Sequence, residues 1–229
     1  MPFWVDWSII LLIPAILLSL YAQYKVKTTF SKYTRVPARS RLAGAVVARD
    51  ILKRKGITVE VERIAGVLTD HYDPGSQVLR LSEPVYNSSS LAALGVAAHE
   101  VGHALQHEEG YFPLNFRNRL VPVANFGSWL AFPLLFIGLF TGITTMVKFG
   151  AFAFIAVVLF QVVTLPVEFN ASHRAIILLT EGGYLTQEEL GLAQQVLKAA
   201  ALSYVAAVLM GFLNLLRLLF GSRVFPRRR

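Results

Sequence analysis

Between Phe126 and Val167 the only charged residue is Lys148, and this limits the fold more than any other feature of the chain. Crossing about 30 Å of hydrocarbon takes about 20 apolar residues at about 1.5 Å per helical residue. Phe126 to Val147 and Phe149 to Val167 approach that length and lie back to back, so they read as a helical hairpin through a membrane. Two more stretches qualify. The first, about Trp7 to Ala22, has an aromatic fringe in Phe3, Trp4 and Trp7; the last, Ala199 to Leu216, is apolar on all faces. Hydrophobic residues make up 55% of the 229, with a mean hydropathy of +0.53. Soluble domains run nearer ~45–50% apolar, so a lipid bilayer is part of this chain's solvent.

Charge refines the reading. Only Asp6 precedes the first stretch and its exit is Leu20-Tyr21-Ala22-Gln23. A cleaved signal peptide has a basic start and a small-residue exit, so this stretch is expected to be a retained anchor. The net charge of +8 arises largely from basic residues flanking apolar stretches, the pattern of the positive-inside rule. They are not interleaved with stacking aromatics, and no nucleic-acid partner is expected. With four crossings, ten basic residues near span ends (Lys25, Lys27, Lys32, Arg35, Arg39, Arg41, Arg117, Arg119, Arg174, Lys198) fall on one side and six on the other. This balance places the middle region in the cytoplasm. The tail, with Arg217, Arg223 and Arg227 to Arg229, runs against it unless the fourth stretch lies in the interface or re-enters.

The expected organisation is an anchor at 1–23, a soluble domain at 24–125, a membrane hairpin at 126–167, a helical segment at 168–198, and an apolar helix with a basic tail at 199–229. The two polar regions suffice for one compact domain of about 130 residues. Arg41 to Lys55 reads as an amphipathic helix, with Ser40 as N-cap and Gly56 as its stop. Ile57, Val59, Val61 and Arg63 alternate with polar residues as in a half-buried strand. Val67 to Thr69 and Val78 to Leu81 are further strand candidates around the turn-prone Asp73-Pro74-Gly75-Ser76.

Ser88-Ser89-Ser90 can cap a helix through Leu91 to His107 that carries His99, Glu100 and His103. Histidines four apart on a helix share a face, and their ring nitrogens can converge on one tetrahedral ion. Glu100, beside the first histidine, can take a proton from activated water and pass it to a leaving amine. The neighbours are small and apolar, so an unligated His-Glu-His set would be a costly burial. His107 continues the face but precedes Glu108 and Glu109, and is expected to be exposed. The chain has no cysteine, so any metal is held by His, Asp or Glu. A catalytic zinc takes three protein ligands. Glu168, immediately after a span, is the leading candidate for the third, with Glu181 in Glu181-Gly182-Gly183 as a rival.

Asp70-His71-Tyr72-Asp73-Pro74, Leu81-Ser82 to Tyr86, Ala97 to His107, and Thr164 to Ala175 together resemble the YugP-type neutral zinc metallopeptidases of bacterial membranes. The resemblance covers nearly the whole chain. More distantly it is similar to the HtpX-type and CAAX-prenyl membrane proteases, in which a Glu-x-x-Ala-Asp helix after the hairpin supplies the third ligand. Glu168 and Ala171 fit that pattern, whereas Ser172 replaces an aspartate that braces a ligand histidine. Asp70 or Asp73 is then a candidate brace, and His71, His173 and Tyr72 are candidates for stabilising an oxyanion.

The expected fold class is α+β, a zincin-like (gluzincin) domain with about four transmembrane segments. The expected activity is hydrolysis of peptide bonds in membrane or membrane-proximal proteins by water activated at one catalytic zinc ion, with Glu100 as general base. The reading from another class is a non-enzymatic scaffold or transport subunit with a structural metal site. That site would need a fourth ligand, for instance His71 or His173.

Overall fold

The computed structural model describes residues 7–221. Phe3, Trp4 and Asp6, and the tail arginines from Arg223 onward, lie outside the described residues. A short 3-10 helix, Trp7–Leu12, leads into α1 (Ile13–Thr34). Then follow α2 (Gly44–Arg54), β1 (Glu60–Ile64), β2 (His71–Asp73), β3 (Val78–Ser82), α3 (Glu83–Tyr86) and α4 (Leu91–Glu108). Three long helices complete the chain: α5 (Phe112–Thr141), α6 (Thr144–Glu181) and α7 (Gln187–Gly221). The described residues are mostly helical, with one small sheet among them.

Among the described residues, four helices are long and apolar enough to cross a membrane: Ile10–Thr34, Phe112–Thr141, Thr144–Glu181 and Gln187–Leu219. Each outruns the apolar stretch expected from sequence, because hydropathy reports the surrounding solvent whereas a helix ends only where its backbone bonding is broken. The hairpin turn is not at Lys148, which lies inside α6. It is at Gly142-Ile143, where Gly142 has φ 74, a left-handed backbone open to glycine.

The chain divides into two compact units. The first lies within Met1–Ala22, Phe116–Leu165 and Ser203–Arg229; its buried cluster includes Ala131, Leu135, Val147, Ala151, Phe154, Val158 and Leu218. Small residues let helix backbones approach closely where lipid gives no hydrophobic drive to pack.

The second unit comprises Gln23–Asn115 and Pro166–Leu202. Its sheet has the order β1-β3-β2, with β1 parallel and β2 antiparallel to β3. Central β3 buries Val78, Leu79, Leu81 and Ser82, and α2 and α4 pack with it into a core containing Val47, Ile51, Leu91, Leu94 and Val101. Two local expectations are corrected. The helix expected from Arg41 starts at Gly44 after Ala43, with no side-chain cap from Ser40, because Arg41 takes a left-handed φ of 55. Gly56, with φ 71, does end that run. Val67 to Thr69 is a bend, not a strand, since Gly66 (φ 107) and Leu68 (φ 59) break the extended backbone, and the strand lies at His71–Asp73. The turn at Pro74 to Gln77 and strand β3 stand where the sequence places them.

Candidate metal centre

α4 begins as its serines predict: the Ser90 hydroxyl accepts from the Ala93 N–H at 3.2 Å. It ends where Gly110, φ 65, donates to the His107 carbonyl. Gly102, between the two histidines, is where α6 crosses. A Cβ there would sit 2.8 Å from the Ala171 carbonyl oxygen, so only glycine lets the helices approach this closely. Glu168 is one turn before Ala171 on α6, and the crossing brings its carboxylate to the histidine face of α4.

His99, His103 and Glu168 place their ligand atoms within 4.8 Å of one another. Glu168 Oε2 is 3.3 Å from His99 Nε2 and 3.7 Å from His103 Nε2, and the imidazole rings stand edge to face with centroids 4.8 Å apart. Donors bound to a tetrahedral zinc at about 2.0–2.2 Å are about 3.3–3.6 Å from each other, so this set fits the ion. Electrostatics point the same way. Glu168 is 4% exposed and Glu100 7%, two carboxylic groups in a largely apolar interior. Burial pushes the Glu100 carboxyl up, against the pull of His99 and His103. Burial works against a charged His103, but its contact with Glu168 and the charge of Glu100 outweigh that and raise its proton affinity. The pocket is short of positive charge, which a divalent cation would supply.

The remaining candidates occupy different places. The Ser172 hydroxyl is 3.2 Å from His99 Nδ1, so the residue in the aspartate's place does contact the histidine. Asp70 and Asp73 have other partners. Asp70 accepts from the Ser82 N–H at 2.7 Å and the Ser82 hydroxyl at 2.9 Å; burial pushes its carboxyl up despite these bonds. Asp73 accepts from Gly75, Ser76 and Arg80. Tyr72 pairs its hydroxyl with His107 Nδ1 at 2.9 Å. His107 is therefore half-buried, not exposed as expected. His71 is exposed, its Nδ1 2.9 Å from the Thr69 carbonyl, and His173 is exposed on α6. Glu181 is at the surface, 3.2 Å from Lys55 Nζ.

One residue escaped sequence reasoning. Gln106 is fully buried, and its carboxamide reaches His103 Nδ1 (3.0 Å), the Val167 carbonyl (2.8 Å) and Asn170 Oδ1 (2.9 Å). The available signal was its spacing: three residues beyond His103 it shares that helix face, in a run otherwise apolar.

Residues 8–223 match the family described as "Putative neutral zinc metallopeptidase". The chain is 49% identical over 211 residues to the "Putative membrane protease YugP" of Bacillus subtilis (strain 168), covering 91% of this chain and 93% of that one. No solved structure matches it. By the extent of these similarities as well as their degree, the chain belongs to the neutral zinc metallopeptidase family.

Proposed function

We propose that the protein is an integral membrane zinc metallopeptidase that hydrolyses peptide bonds of membrane or membrane-proximal proteins. One zinc ion is held by His99, His103 and Glu168, and Glu100 is the general base. The observation that carries this reading is the convergence of two imidazole nitrogens and one carboxylate oxygen within 4.8 Å, beside a second buried carboxyl, that of Glu100. When bound, zinc supplies the Lewis acidity that makes water nucleophilic near neutral pH and polarises the scissile carbonyl. Glu100 accepts the proton from the attacking water and returns it to the leaving amine. Edge strand β2 packs against α4 and can hold a substrate extended by backbone pairing. The histidine-bearing α4 against this sheet supports a zincin-like, gluzincin assignment.

Two features favour substrates at a membrane. Glu168 follows directly on the uncharged run that ends at Val167, within the same helix α6, and the matched relative is described as a membrane protease. The excess of basic residues flanking the middle region supports an active site facing the cytoplasm of a bacterial cell. Of the non-enzymatic reading, a closed structural site would need a fourth ligand; among the described residues, the ligand group is three side chains with His71 and His173 apart from it.

Glu100→Gln tests the proposal. Purified in lipid, this variant should bind zinc as the wild type does while losing about 10²- to 10⁴-fold in hydrolysis of an unfolded protein substrate. Undiminished hydrolysis would refute the mechanism.

A further inference from the structure

We propose that Gln106 is a positioning residue that fixes His103 in the tautomer presenting Nε2 to the metal, through a hydrogen-bond chain whose direction is set at its far ends. The inference rests on the reading of His103 as a zinc ligand and adds what makes it one.

The chain begins at Arg174, whose guanidinium has only donors. Its Nε donates to Asn170 Oδ1 at 2.7 Å, which orients the Asn170 carboxamide with oxygen towards Gln106. An outer carboxylate, Glu109 Oε2, holds the same guanidinium at 2.6 Å. The Val167 carbonyl, the second anchor, can only accept. Both groups facing this side of Gln106 are therefore acceptors, and both are served by its one NH₂, which has two hydrogens for the two bonds. The Gln106 oxygen has one direction left, towards His103 Nδ1 at 3.0 Å. A carboxamide oxygen cannot donate, so Nδ1 must carry the hydrogen. A neutral imidazole has a single N–H, which leaves the lone pair on Nε2, the atom 3.7 Å from Glu168 Oε2.

The other histidine is held differently. His99 Nδ1 faces the Ser172 hydroxyl, which can donate or accept and imposes no tautomer. The anchors also tie the ligands together: Val167 and Asn170 flank Glu168, so one buried amide orients His103 and grips the turn of α6 that carries the carboxylate.

The experiment compares zinc affinity, by chelator competition, and metal-free melting temperature for the full-length chain in lipid, wild type against Gln106→Leu and Gln106→Glu. Leucine removes the acceptor. Glutamate keeps an oxygen for His103 Nδ1 but loses the donors to Val167 and Asn170. Loss of a partner of this kind weakens zinc binding by about 10–100-fold, the result expected for leucine, whereas glutamate should stay within about threefold of wild type although it melts lower. A merely structural clip predicts otherwise, with zinc affinity unchanged in both variants or falling in step with melting temperature, and either result overturns the proposal. A wild-type chain that takes up no zinc refutes instead the ligand assignment beneath it.

Discussion

Gly102→Ala tests how the candidate metal centre depends on the close approach of α6 to α4 at Gly102. A methyl group there would lie 2.8 Å from the Ala171 oxygen and 3.3 Å from its carbonyl and α carbons, short of ordinary contact by about 0.6 Å. The opposing atoms are helix backbone and cannot rotate away, so α4 and α6 must separate by a comparable amount. The proposed ligands stand on either side of that contact, His99 and His103 flanking Gly102, and Glu168 one turn from Ala171. A zinc site tolerates about 0.2 Å in its ligand distances. Overpacking costs about 1–3 kcal/mol, offset by about 1 kcal/mol of helix propensity from alanine, for a net loss of about 0–2 kcal/mol in the metal-free chain. Zinc affinity should fall at least about tenfold, or about 1.4 kcal/mol. Gly95→Ala, on the same helix, is the control: its Cβ would meet Ala193 at an ordinary 3.7 Å. That variant should gain up to about 1 kcal/mol and bind zinc as before. Metal-free melting and chelator competition report both quantities. Equal zinc affinity in the two variants would refute the idea that this crossing sets the ligand geometry.

Three further outcomes are expected. Glu168→Ala should lose most bound zinc, measured by metal analysis, while Glu181→Ala, which loses only a surface contact with Lys55, should keep it; the opposite pattern would move the third ligand to Glu181. The Asp73 carboxyl is held well below its ordinary 3.8 by the Ser76 hydroxyl, Arg80 and the Gly75 N–H. A depressed carboxyl contributes stability above its unfolded value and loses it as pH falls towards the folded one, so the melting advantage of wild type over Asp73→Asn should shrink as pH drops below about 3.8. A constant advantage would show that the ionised group is irrelevant. Finally, cysteine placed at Lys53 in this cysteine-free chain should resist an impermeant thiol reagent added outside intact cells and react after lysis; labelling from outside would reverse the proposed orientation.

Much of this arrangement is legible in the residues. Runs without charge mark the four long helices, because burying charge in hydrocarbon is costly. Three serines before an apolar run mark the start of α4, since a hydroxyl serves an otherwise unpaired N–H there. What escaped depends on backbone or on long-range packing. Lys148 alone separates the two apolar stretches in sequence, yet the turn lies at the left-handed backbone of Gly142. Leu68 reads as strand by side chain and adopts a positive φ after Gly66. Gln106 carries no sequence signal for its partners, because Val167 and Asn170 are brought to it only by the α4–α6 crossing. The proximity of Glu168 to the histidines could be argued from chain return through the hairpin. Its distances could not, since they depend on what a single hydrogen at Gly102 allows.

The β2–β3 hairpin is tied at each end by an aspartate, Asp70 to Ser82 at one and Asp73 to Gly75, Ser76 and Arg80 at the other. Its free edge is only three residues long. A flexible edge of that length would be ordered anew by every peptide that pairs with it, at about 1–2 kcal/mol of backbone entropy per residue. Here that ordering is completed when the chain folds, so a peptide laid along β2 gives up only its own freedom. Three residues still offer few backbone bonds, and a segment held in folded structure would have to unravel before it could use them. Discrimination would then fall on how readily a segment is released from its surroundings rather than on its order of side chains.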